Sequence, residues 1–194
     1  MTRLNRFGVC FLFLAVLSMV GMSLGCSTAP KTAEGRAALV SQARAALGSF
    51  ESKNPAVYGA YRDTSAGVAV FPQIGKAGFW VGGAYGQGVL LVDDQVAGYC
   101  EVTQGSIGLQ LGAQSFTEVI FFETDSAVER FKSSQLEFSA NASAVALNAD
   151  VGAAADFDNG VAVFILDAAG LMYEASIGGQ AFDYIGRGAF DEAP

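Results

Sequence analysis

The 194-residue chain contains no histidine. That removes Ser-His-Asp and Cys-His nucleophile pairs, His-ligated zinc and the usual general base near neutral pH. Its three cysteines, Cys10, Cys26 and Cys100, are too few and too scattered for a zinc cluster. Cys100 lies in the strand-like run Gly98-Tyr-Cys-Glu-Val-Thr103 and reads as a small core residue. Asp93-Asp94 and Asp156/Asp158 could hold a cation by residue type alone. Asp156-Phe157-Asp158-Asn159-Gly160 echoes part of a Ca²⁺ loop, but Val161 to Ala169 supplies only Asp167 and no bidentate Glu. A polar turn ahead of a strand is the better reading. The expectation is a protein with no catalytic residue, no metal site and no cofactor.

Recognition chemistry concentrates in one glycine-rich stretch, Lys76 to Leu91, which holds five of the 24 glycines, three aromatics and one charge. It does not make a phosphate loop. Gly75-Lys76 is followed by Ala77 where a P-loop needs Ser or Thr, and Gly83-x-x-Gly86-x-Gly88 runs into Val-Leu-Leu rather than a helix. The glycines read as sheet geometry, with two strands, about Ala77–Gly82 and Gln87–Val92, and a glycine turn between them. Lys76 is the only cation between Arg62 and Arg130. A phospholipid site needs a cation or amides for the phosphate and an apolar wall for the chains. Lys76, Gly78, Phe79, Trp80, Gly82 and Gly83 are the candidate lipid-binding residues. The plainer alternative is a solvated Lys76 and a Trp80 packed in the core.

The start of the chain has the pattern of a secretory signal. Arg3 and Arg6 precede an uncharged apolar run of 14 residues from Phe7 to Val20, and small residues lead to Gly25-Cys26. Cysteine directly after a cleavage region is the acceptor for bacterial lipoprotein acylation. Ser23 at the first position of the Ser23-Leu24-Gly25-Cys26 box departs from the usual Leu. The alternative is an uncleaved helix over Phe7 to Leu24, 18 residues, the lower edge of a span. The expected organisation is a removed signal peptide (1–25), a lipidated tether (26–33) and a single domain (34–194). One acyl chain such as palmitate or myristate anchors marginally, each buried CH₂ adding about 0.8 kcal/mol, whereas two or three chains on Cys26 should stay attached. Ser27 after the cysteine resembles the outer-membrane sorting pattern, so the expected location is the bacterial cell envelope, facing the periplasm.

Cleavage takes Arg3 and Arg6 from the 11 basic residues, leaving 9 against 19 acidic ones, a net charge of −10. Nucleic acid, which needs a basic patch, is excluded as a partner, and so is polybasic membrane docking. In the remaining sequence, Leu39, Ala43, Leu47 and Phe50 recur at helical spacing within a helix over Glu34 to Phe50, ended by Asn54-Pro55, with a short helical turn from Ala56 to Tyr61. The period then changes to two. Ala66–Phe71 is a strand stopped by Pro72; Gln95 to Thr103 returns from a turn at Asp93-Asp94; Ser106 to Gln114 and Phe116 to Phe122 follow. Thr124 caps a helix from Asp125 to Lys132. Leu136 to Asp150 alternates with small residues, Val161–Leu166 and Leu171–Ile177 are strands around a turn at Asp167–Gly170, and Gly178 to Pro194 closes the chain with packing groups such as Phe182 and Tyr184. The class is α+β: a strongly curved or barrel-like antiparallel sheet, an N-terminal helix and one short helix inserted between strands.

Several of these segments resemble the SYLF lipid-binding family. Gly67-Val-Ala-Val-Phe-Pro72, Lys76-Ala-Gly-Phe79, Val81-Gly-Gly83 and Gly86-x-Gly-Val-Leu-Leu91 look like its opening signature. Gly105-Ser-Ile-Gly-Leu-Gln-Leu-Gly-Ala-Gln114 is similar to its second, Thr124 to Phe131 to its short helix and Gly170-Leu-Met172 to its late strand. Trp80 stands where many members have Gly, and Gly178-Gly179 where bacterial members often have Glu-Gly. The resemblance implies a non-catalytic lipid-binding module. Fungal and animal members resemble phosphoinositide and actin binders, and here a membrane phospholipid or related lipid is the implied ligand. A structural or interaction protein of the envelope, holding a protein partner through exposed aromatics such as Trp80 and Tyr85, is the second reading. Replacing Cys26 by Ser should abolish acylation and leave an unprocessed or soluble form, checked by intact mass and membrane fractionation. Unchanged mass and retention with the Met1 peptide present would establish an uncleaved helix.

Overall fold

The computed structural model describes residues 29–79, 81–107, 112–134, 136, 145–146, 157–169 and 179–190. Thr32 opens α1 (Ala33–Lys53): its backbone is extended and its hydroxyl accepts from the Gly35 amide at 3.0 Å. That satisfies one of the amides a helix start leaves unpaired. Leu39, Ala43, Leu47 and Phe50 form the buried edge expected from their spacing. Asn54 ends the helix, and α2 (Pro55–Arg62) begins with Pro in its first turn, where a missing N–H costs nothing. No described helix is long and apolar enough to cross a membrane.

The strands are β1 (Gly67–Phe79), β2 (Val81–Val92), β3 (Gln95–Ile107), β4 (Gly112–Phe122), β5 (Val145–Ala146), β6 (Val161–Ala169) and β7 (Gln180–Gly186). They form one sheet in the order β5-β6-β4-β1-β2-β3-β7. Every pairing is antiparallel except that of the two-residue β5 with β6. Asp93 and Asp94 join β2 to β3 with φ of 51° and 59°, the left-handed pair that a two-residue hairpin turn requires. Asn159 and Gly160, with φ of 51° and 78°, make the same turn between Asp158 and Val161, so the acidic loop is a hairpin corner.

Four boundaries differ from the sequence expectation. Pro72 does not stop the first strand: it sits at a register shift towards both β2 and β4, where the ladder needs no N–H from it. The Thr117 hydroxyl donates to the Pro72 carbonyl at 2.9 Å and ties the bulge to β4. The turn of the glycine-rich pair is not at Gly83 to Gly86, because Gly78 pairs with Gly82 and Phe79 with Val81. The expected strand over Ser106 to Gln114 is divided between the end of β3 and the start of β4, which have two strands between them in the sheet. The strand expected to end at Leu166 runs on to Ala169, and the closing segment supplies an edge strand, β7, rather than loose packing groups. Leu109, the expected strand over Leu171–Ile177 and most of Leu136 to Asp150 lie outside the described residues.

The sheet is curled. Glu118 on β4 and Gln180 on β7 have three strands between them, four strand spacings or about 19 Å in a flat sheet. Their side chains are nevertheless hydrogen-bonded at 2.9 Å. Phe71 on β1 likewise meets Phe182 on β7 with ring centroids 5.7 Å apart. Glycine makes the curl affordable on the inside. A Cβ at Gly88 would stand 2.6 Å from the Phe71 ring and 2.7 Å from the Val70 carbonyl oxygen, and one at Gly98 would stand 2.5 Å from both the Tyr184 ring and the Ile185 carbonyl oxygen.

Each face of this sheet carries its own core. On the outer face Phe50, Tyr58 and Tyr61 of α1 and α2 meet Phe121 and Phe164 at centroid distances of 4.9 to 6.3 Å. The interior is filled by Phe71, Ile74, Ile120, Phe122, Val163 and Phe182, and by α3 (Asp125–Lys132). Thr124 caps α3 by accepting from the Ala127 amide at 3.3 Å, and Phe131 packs on Phe122 and Phe182 at 5.0 and 5.5 Å. The curl gives a direct test. Gly88→Ala should cost about 1–3 kcal/mol through overpacking. Gly75→Ala, where a Cβ meets nothing within 4 Å, should stay within about 0.5 kcal/mol of wild type. Equal shifts in the denaturant midpoint would show that the glycines do not set the curvature.

Candidate functional site

Strand register places the candidate residues. Lys76 on β1 lies opposite Ala84 on β2 and Gln114 on β4; Ala84 lies opposite Gln104 on β3, and Gln104 opposite Gln180 on β7. Ala84 belongs to the interior core, so this five-strand row faces the inside of the curl. One step nearer the β1–β2 turn the row is Gly112, Gly78, Gly82 and Ser106. The structure therefore brings Lys76, Gly78 and Gly82 onto one interior face at the end of the sheet away from α3. Gly83 is on the other face, exposed and opposite Ala77 and Gly105. Phe79 pairs with Val81 at the turn. Trp80 and Cys26 lie outside the described residues. Lys76 is half-buried and makes no ion pair with any described residue.

Deeper in the curl lie polar groups that the sequence reading passed over. Glu118 is 0% exposed, Gln180 1% and Gln104 6%. Gln180 donates from Nε2 to Glu118 Oε2, while Glu118 Oε1 and Gln180 Oε1 have no hydrogen-bond partner among the described residues. A charged carboxylate is costly in such surroundings. Burial pushes the Glu118 carboxyl from its ordinary 4.5 up to about 7, and the Gln180 amide offsets only part of that rise. Burial also pushes the Cys100 thiol well up, and raises Tyr184, to which Cys100 and Glu129 add. A trace of Glu118 was present in the sequence: it is a lone charge in Phe116-Thr-Glu-Val-Ile-Phe-Phe122, in phase with the interior residues Ile120 and Phe122. Gln180 carries no such signal, because only the curl brings it to Glu118.

The outer face has separate chemistry. Tyr85, 43% exposed, donates to Glu101 Oε2 at 3.2 Å. Burial raises the Glu101 carboxyl, the Tyr85 hydroxyl offsets this, and the facing Asp183 adds to the rise. A cleft of about 410 Å³ opens between α1 and the β1 bulge, lined by uncharged residues including Gln42, Pro72, Gln73 and Phe116. No group of three or more metal-ligating side chains occurs among the described residues.

Residues 103–184 match the family model described as Ysc84, Las17-binding protein actin regulator. Over this stretch the chain is similar to the SYLF family. Gln104, Glu118 and Gln180 fall inside the matched residues, and Lys76 precedes them. No curated protein matches the chain.

The buried carboxyl makes stability depend on pH in a defined direction. Unfolded Glu118 loses its proton near 4.5 and folded Glu118 near 7. Its contribution is fully present below pH 4.5 and is lost as pH rises through about 7, a total of about 3 kcal/mol. Glu118→Gln should remove that slope and be the more stable form at pH 8 in urea titrations. The same pH dependence in wild type and variant would show that Glu118 ionises freely in the folded protein.

Proposed function

We propose that this chain is a non-catalytic lipid-binding module of the bacterial cell envelope, tethered through an acylated Cys26, with phospholipid or a related lipid as its ligand. The observation that carries the proposal is the position of Lys76: a half-buried cation on the interior face of the sheet, with Gly78 and Gly82 beside it and no acid from the described residues neutralising it. A phosphate at that point meets an ammonium and glycine backbone that carries no side chain of its own. The apolar interior of Phe71, Ile74 and Phe182 lies on the same face. The absence of histidine in the sequence fits a binding role better than acid–base catalysis near neutral pH. Lipid and actin binding are both properties of the family. With a net charge of −8 the chain has no field that draws in acidic partners generally, so a local cation is the more economical route to an anionic lipid.

A second reading rests on Tyr85. It is a large exposed aromatic on the outer face, and the family description names a protein partner. An envelope protein held through that face is the alternative function.

Lys76→Glu distinguishes the two. One basic side chain near an anionic membrane is worth about 1 kcal/mol, so charge reversal should weaken binding to anionic liposomes about tenfold or more, with an unchanged circular dichroism spectrum. Tyr85→Ala should leave liposome binding intact. Wild-type affinity in Lys76→Glu, with loss in Tyr85→Ala, would move the binding surface to the outer face.

A further inference from the structure

Glu118 is the one fully buried carboxyl among the described residues, and it lies where the curled sheet meets itself. β4, which carries it, is held on both sides by the long ladders to β1 and β6. β7, which carries Gln180, is the edge of the described sheet and pairs with β3 alone. We propose that the Glu118–Gln180 hydrogen bond is a proton-operated latch, keeping β7 closed over the sheet interior while Glu118 holds its proton and releasing β7 when that proton leaves to solvent.

The physical argument is one of unequal costs. A neutral carboxyl with one hydrogen bond is tolerable inside an apolar curl. An ionised one with a single amide donor and a bare second oxygen is not. The charge must then be hydrated, and the smallest movement that admits water is the outward swing of β7, which pairs with one strand among the described residues. Among the described residues nothing else facing Glu118 compensates the charge. On β1 its neighbour is Phe71, and Lys76 lies four residues further along the β4 register, opposite Gln114. On β6 it faces Ile165, with Asp167 two residues beyond. On β2 the interior positions are Ala84, Gly86 and Gly88; on β3 they are Cys100, Val102 and Gln104. On β7 they are Gln180, Phe182 and Tyr184, and α3 contributes Phe131 while its Glu129 pairs with Lys132. Glu101 and Asp183 lie on the outer face. The rise of the Glu118 carboxyl to about 7 places the transition near neutrality. Release carries Phe182 away from Phe71 and Phe131 and exposes their rings to whatever enters the interior.

Hydrogen exchange of the full chain, read by mass spectrometry and corrected for intrinsic rates, tests the latch without any ligand. Between about pH 4.5 and 7 the protection of peptides spanning Gln180–Gly186 should fall about tenfold per pH unit, the slope of a one-proton opening, and level off above pH 7, while β1 and β4 keep theirs. Glu118→Gln should hold β7 protected at every pH, and Gln180→Ala should leave it weakly protected at pH 5.5. Protection of β7 that is flat with pH in wild type, or that keeps its slope in Glu118→Gln, would overturn the proposal. So would a parallel loss in all strands, which marks global unfolding.

Discussion

Curvature is the constraint on which the rest of this molecule depends. A six-strand antiparallel sheet left flat would expose one face. Curling it places β7 against β1 and β4 and lets a single eight-residue helix, α3, fill the interior. The curl is obtained by removing volume from the inner surface: Phe71 lies over Gly88, Ile74 over Gly86 and Tyr184 over Gly98. Large rings on one strand and no side chain on the next shorten the inner circumference while the outer face keeps its Val, Leu and Phe for α1 and α2. The glycines are thus structural first. Near the β1–β2 turn, Gly78, Gly82 and Gly112 adjoin in one row of the sheet.

The interior consequently changes character along its length. Next to α3 it is aromatic and closed, with Phe122, Phe131 and Phe182 in contact. Towards the glycine turns it becomes polar, passing from Glu118 to the row that holds Gln180, Gln104 and Lys76. An apolar end joined to a polar, cationic one is the arrangement an amphiphile needs. The α1–α2 layer takes no part in it. Arg62 pairs with Asp94, and Arg44 donates to the Asp94 carbonyl, so the helical layer is fixed to the β2–β3 hairpin at the opposite end.

Local signals in the sequence were sound wherever local physics decides the outcome. Thr32 and Thr124 cap their helices, Asn54-Pro55 separates two of them, and Asp93-Asp94 turns a hairpin, because capping, proline sterics and left-handed turns act within four residues. The spacing of Leu39, Ala43, Leu47 and Phe50 identified the buried edge of α1. What could not be read was anything set by strand order. Pro72 looks like a terminator until β1 is seen to bulge there on both sides, and Ser106 to Gln114 alternates well enough to hide a division between two strands that are not neighbours. Lys76, Gly78 and Gly82 share one face of one hairpin, and its period-two alternation puts Gly83 on the other face. The Glu118–Gln180 pair was invisible, since 62 residues and three strands separate its members.

The central claim is that lipid is received at the Lys76 end of the sheet interior. Amide chemical shifts followed during titration with a short-chain anionic phospholipid address it most directly. The account predicts that the largest changes cluster at Gly75–Gly78, Gly82–Ala84 and Gln104–Ser106, with α1 and α2 nearly still. Changes concentrated on α1 or around Tyr85, or none at saturating lipid, would contradict it.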